Sequence, residues 1–100
     1  MIKHIVMWNF KSEGEGKTRE ENMAIVRDRL YALPAIIPEI KKMEIGFDVK
    51  HTDMSADLVL ITEFESLDTL KIYAEHPDHV LVSQYVRRVI DSRKVIDFEF

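Results

Sequence analysis

The segment Tyr73-Ala74-Glu75-His76-Pro77-Asp78-His79 concentrates the acid–base chemistry of this chain. Proline cannot continue a helix but is well accommodated in a first turn, so one helix ends before Pro77 and another begins there. His79 is then the third residue of the new helix, in phase with Val82, Val86 and Val89 at spacings of 3, 4 and 3. Its ring is expected on the apolar face. The partial positive charge of a helix N-terminus disfavours an imidazolium there, and burial pushes the same way. A histidine held neutral beside an apolar cavity is a general base suited to neutral pH. Tyr73 lies just before the break and is placed to donate its phenolic hydrogen bond into the same space. His79 also has a structural reading, a hydrogen bond to the backbone that fastens the helix corner, and the sequence leaves both open.

The remaining histidines divide by position. His4 falls on the same strand face as Val6, Trp8 and Phe10, either as a satisfied core histidine or as a polar group lining a pocket. His76 precedes proline and reads as a cap or corner residue near that pocket; His51 sits in a polar turn. His76-x-x-His79 supplies two ligands of the three or four that zinc requires, so no metal site is expected. Gly14, Gly16 and Gly46 match neither the dinucleotide-binding nor the P-loop spacing, and no G-x-S-x-G elbow occurs. The candidate site is therefore His79 and Tyr73 for chemistry, with His4, Val6, Trp8, His76 and Val82 around the pocket.

Strands and helices must bring these residues together. Ile2 to Phe10 reads as a strand with Ile2, His4, Val6, Trp8 and Phe10 on one face and Ile5 and Met7 on the other. Lys11–Lys17, with two glycines among charges, reads as a loop. Thr18-Arg19-Glu20-Glu21 matches a capping box, opening a helix whose stripe is Met23, Val26, Leu30 and Leu33 and which Pro34 stops. After Pro38 a second strand alternates Met43, Ile45, Phe47 and Val49 with polar residues and glycine. A third runs from about Ala56 to Glu65, with Leu58, Leu60, Thr62 and Phe64 on one face. Ser66 caps a helix through Leu67, Leu70, Tyr73 and Ala74, the Pro77 helix follows, and Arg93 to Phe100 is the last strand. The order β-α-β-β-α-β predicts an α+β, ferredoxin-like sandwich, a four-stranded antiparallel sheet with helices on one face.

One hundred residues make one domain, here residues 1–100, with a modest core of its own. Two helical stretches cover one face of the sheet, whereas the first and third strands carry apolar residues on both. A second copy is the expected cover, giving a symmetric homodimer with sheets face to face. Fourteen basic and 18 acidic residues, mixed along the chain, give no basic stripe for nucleic acid. The absence of cysteine removes disulfides, thiolate metal sites and a thiol nucleophile together. Apolar runs reach only four residues, as in Leu58–Ile61, and the first ten residues do not read as a signal peptide. A cytoplasmic protein is expected, without membrane or nucleic-acid partners.

Met1-Ile2-Lys3-His4-Ile5-Val6-Met7-Trp8-Asn9-Phe10-Lys11 resembles the first strand of the stress-responsive dimeric α/β-barrel (Dabb) family. Ile37-Pro38-Glu39-Ile40 with Glu44-Ile45-Gly46, Phe64-Glu65-Ser66, Tyr73 through His79 and Ile96-Asp97-Phe98 extend the resemblance over essentially the whole chain, in order. It implies a ferredoxin-like protomer and a homodimeric barrel. Most of the family has no assigned activity. One member is a plant polyketide cyclase performing a cofactor-free aldol condensation. The resemblance places its catalytic tyrosine and histidine at Tyr73 and His79, and a pocket histidine at His4; a further pocket histidine corresponds to Leu58. The leading expectation is a dimer whose apolar pocket binds a small hydrophobic or aromatic molecule. The alternatives are a cofactor-independent cyclase or aldol-type lyase, with His79 as base and Tyr73 as donor, and a cofactorless monooxygenase. No cofactor is expected in any of them.

Overall fold

Alternating hydropathy makes Ile2–Phe10 the first strand, β1, and its Ile2, Val6, Trp8 and Phe10 are buried on one face. The computed structural model describes all residues, 1–100. Where a plain loop was expected, Glu13–Gly14 (β2) and Lys17–Thr18 (β3) pair as a small hairpin. Glu15 and Gly16 between them both have positive φ, 53° and 73°, as a type I′ hairpin turn requires. Glu-Gly is a weak signal for this turn, which is why the sequence reads as a loop there.

Helix α1 spans Arg19–Tyr31 and opens with the expected capping box: Glu21 N–H donates to Thr18 Oγ1 and Thr18 N–H donates to Glu21 Oε1. Val26 and Leu30 are buried as expected; Leu33 is buried too, but beyond the helix end. Met23 is only partly buried, and the fully buried place beside it goes to Asn22. The amide is tolerated because Tyr85 Oη donates to Asn22 Oδ1 at 2.6 Å while Asn22 Nδ2 donates to the Gly14 carbonyl at 2.9 Å.

The second long strand, β4, is Lys42–Phe47, shorter than expected; Val49 lies outside it and is 89% exposed. The cause is local, since the Asp48 carboxylate accepts from the His51 N–H and turns the chain. Strand β5, Leu58–Phe64, alternates strictly, with Leu58, Leu60, Thr62 and Phe64 buried. Helix α2 is Leu67–Glu75, capped by Ser66, and α3 is Pro77–Val89. Strand β6, Ile90–Glu99, begins directly after α3, three residues earlier than expected, because Ile90 pairs with Phe10 across a bulge at Asn9/Phe10.

The four long strands form one sheet in the order β4-β5-β1-β6, antiparallel throughout, which is the ferredoxin-like arrangement. Val6, Trp8, Phe10, Leu58, Leu60 and Phe64 pack against the helix residues Val26, Leu30, Tyr73, Tyr85, Val86 and Val89. The register puts Ile5, Met7, Val59, Ile61, Ile96 and Phe98 on the opposite face, where Met7 is 41% and Ile96 56% exposed. No helix is long and apolar enough to cross a membrane.

Candidate functional site

His76 carries the extended backbone that a following proline imposes, with φ −63° and ψ 133°. Its N–H donates to the Tyr73 carbonyl, closing α2, and its Nδ1 accepts from the Asp78 N–H, opening α3. This double cap corrects one expectation: His76 is not among the residues lining the cavity, its ring being held at the corner by the Asp78 N–H. The offset between α2 and α3 brings Tyr73 and His79 together, ring centroids 4.2 Å apart at 47°.

His79 Nδ1 lies 3.1 Å from the Ala74 carbonyl oxygen. A carbonyl can only accept, so Nδ1 carries the hydrogen and Nε2 keeps the lone pair of the neutral ring. The structural and chemical readings of His79 are thereby compatible: the bond that fastens the corner also selects the tautomer with a free basic nitrogen. Burial pushes the His79 pKa below its ordinary value. The bond to Ala74 opposes this, while electrostatic interaction with the neighbouring His4, Arg93 and His76 side chains adds to it. Desolvation is the leading cause.

Tyr73 is only 1% exposed, and its hydroxyl has no hydrogen-bond partner. Burial raises the phenol pKa far above its usual value, with Arg93 opposing weakly, so the group stays a protonated donor. Trp8 is buried as well, and its Nε1 is likewise unpartnered. His4 packs edge-on to Tyr73 and is oriented from behind by Asp97, whose Oδ1 lies 2.5 Å from His4 Nδ1 across the β1–β6 pair.

These groups surround a cavity of about 360 Å³ between the sheet and the helices. Of the residues expected at the site, His79, Tyr73, His4, Val6, Trp8 and Val82 line it. Leu30, Leu60, Val86 and Ile90 complete its apolar wall, and Ser83, Arg87 and Arg93 add polar groups that the sequence reading missed. Arg93 was findable in principle: an antiparallel β1–β6 pair sets it opposite Trp8, on the cavity face. No group of three or more His, Cys, Asp or Glu side chains is placed to hold a metal ion.

The sheet order, the one-sided helices and the interlayer cavity define a small ferredoxin-like α+β protein. The chain belongs to the stress responsive A/B barrel domain family, Dabb, whose profile matches residues 2–100. It is 28% identical over 99 residues to olivetolic acid cyclase from Cannabis sativa, covering 97% of this chain and 94% of that protein. A dimeric ferredoxin-like protein of unknown function from Bacteroides fragilis superposes with a TM-score of 0.81 at 31% identity, over 99% of this chain and 95% of the other. Hydroxynitrile lyase from Passiflora edulis superposes with a TM-score of 0.83 at 16% identity, over 97% and 90% of the two chains, a likeness of fold alone.

Proposed function

We propose that the cavity binds a small, largely apolar molecule bearing a carbonyl oxygen, and that His79 acts on it as a general base. His79 Nε2 takes a proton from the carbon next to the carbonyl. The C–H electron pair forms a carbon–carbon double bond while the carbonyl π pair moves onto the oxygen, and the Tyr73 hydroxyl donates a hydrogen bond to that oxygen. The observation that carries this reading is the buried, unpartnered Tyr73 hydroxyl against a histidine whose Nδ1 is already engaged. A buried donor without an acceptor is costly, and a bound oxygen relieves that cost. The similarity to a cyclase supports a cofactor-independent aldol or cyclisation step as the productive outcome of such an enolate. The working unit in this reading is a homodimer, the uncovered apolar sheet face meeting its equivalent on a second copy, as the dimeric relatives support.

The test is deuterium exchange at the methyl group of aryl methyl ketones in heavy water, followed by proton NMR together with the His79 ring resonances. Exchange above the buffer rate that His79→Gln reduces by about two orders of magnitude or more supports the reading. Ligand-induced shifts of His79 without exchange leave a binding protein and remove the base. Neither shift nor exchange overturns the reading entirely.

A further inference from the structure

The chain has six arginines, and four of them are engaged elsewhere in the fold. Arg88 pairs with Glu15 at 2.6 Å, Arg27 with Asp28 at 2.9 Å, and Arg19 approaches Asp57 at 4.0 Å. Arg29 lies over the ring of Tyr85 at 4.3 Å. The two left without an ion pair or an aromatic ring are Arg87 and Arg93, and these are the two that line the cavity. The only protein partner of the Arg87 guanidinium is Ser83 Oγ at 3.3 Å.

The charge balance sharpens this. The protein carries four more acidic than basic groups, yet no aspartate or glutamate lines the cavity. Two residues that line it, Tyr73 and Trp8, also carry buried, unpartnered groups that can donate, Tyr73 Oη and Trp8 Nε1. Trp8 and Arg93 are register partners across β1 and β6, so the two residues border the cavity from neighbouring positions. A wall that offers hydrogen-bond donors and positive charge but no carboxylate is complementary to an anion rich in oxygen.

We infer that the natural ligand of this cavity is a carboxylate, an oxo acid on an aryl or alkyl body, with its carboxylate group held by Arg93 and Arg87. The inference rests on the reading of the cavity as a carbonyl-binding site and names the class of compound that enters it. The guanidinium fork matches the oxygens of either group. Carboxylate is favoured over phosphate by the mainly apolar wall, where a single charge costs less to bury than the near-double charge of a phosphate monoester. Arg93 stands at the start of β6 and Arg87 in the last turns of α3, whereas His79 lies in the first turn of α3. The His79 and Arg87 backbones are therefore about 12 Å apart along the helix, and the long arginine side chains shorten that gap. The acid group accordingly sits a few bonds away from the carbonyl rather than on it.

The ligands for the test are 4-oxo-4-phenylbutanoate, its methyl ester and phenyl phosphate. Affinity is measured by calorimetry with the full-length protein at low and at physiological salt, and His79 is followed by NMR. The carboxylate is expected to bind at least about tenfold more tightly than the ester, with a preference that weakens as salt rises. Arg93→Gln should bring the two affinities together, and Arg87→Gln should narrow the gap. The ester should still shift the His79 resonances in both variants. Equal binding of acid and ester, with His79 shifted by both, overturns the carboxylate assignment and leaves the carbonyl site standing. Tighter binding of phenyl phosphate than of the acid also overturns it. Absence of binding by all three, with His79 unmoved, overturns the inference and the underlying site together.

Discussion

Tyr73 and His79 face each other across the His76-Pro77 break, the tyrosine hydroxyl buried without an acceptor and the histidine anchored through Nδ1 to the Ala74 carbonyl. An unsatisfied buried hydroxyl destabilises the empty protein. In the proposed function, retaining one where phenylalanine would fill the same space exchanges stability for a donor to the ligand's carbonyl.

Tyr73→Phe is therefore expected to raise stability, by about 1 kcal/mol, while weakening the binding of carbonyl ligands. Urea denaturation of the two proteins without ligand checks the first half, and calorimetry with an aryl ketone checks the second. A variant both less stable and unimpaired in binding would show that the hydroxyl serves the fold.

Much of the fold could be read from local patterns. The alternation of Ile2–Phe10, the Thr18/Glu21 capping box and the proline at Pro77 each depend on residues a few positions apart. The Tyr73/His79 pair was legible for the same reason, since only the break between two helices separates them. His76 was misplaced because its competing use as a double cap engages its ring with the Asp78 N–H. Asn22 and Arg93 escaped notice because their surroundings come from distant segments: Asn22 needs Tyr85 on α3, and Arg93 needs the β1–β6 register. A polar residue on a helix reads as surface until the partner that satisfies it is in place.

The Asn22–Tyr85 bond joins α1 to α3, and the second amide bond of Asn22 holds the β2–β3 hairpin down at Gly14. Tyr85→Phe strands the Asn22 carbonyl in a buried site and should cost about 1–3 kcal/mol. Asn22→Leu removes both bonds, leaving the Tyr85 hydroxyl and the Gly14 carbonyl without their partner, and should also free the hairpin. Hydrogen exchange would then show faster exchange around Gly14 in Asn22→Leu than in Tyr85→Phe.

On the uncovered sheet face, Ile96 is more than half exposed within one protomer, so a charge there costs that protomer little. At a face-to-face contact between copies the same charge would be buried without a partner. Ile96→Glu is expected to keep the secondary structure of the parent protein by circular dichroism and to halve the mass found by light scattering. A parent protein that is monomeric at micromolar concentration would remove the dimer.

The depressed pKa of His79 also sets a pH dependence of stability. Above the ordinary histidine pKa of about 6.5, the residue is neutral in both folded and unfolded chains and contributes no slope. As the pH falls below that value the unfolded chain takes up the proton first, because the folded site resists it, and stability declines. The decline levels off once the pH has also passed below the folded pKa. Asp48 and Glu21, whose carboxyl pKa values are lowered by hydrogen bonds, lose their own contributions only in more acidic solution, below the range in which His79 acts. Comparison with His79→Gln isolates the histidine: the stability difference between the two proteins should shift towards the variant as the pH is taken from 7.5 to 5.5. A difference that stays constant over this interval would mean that His79 protonates as easily in the folded protein as in water, and the general-base role would lose its neutral imidazole.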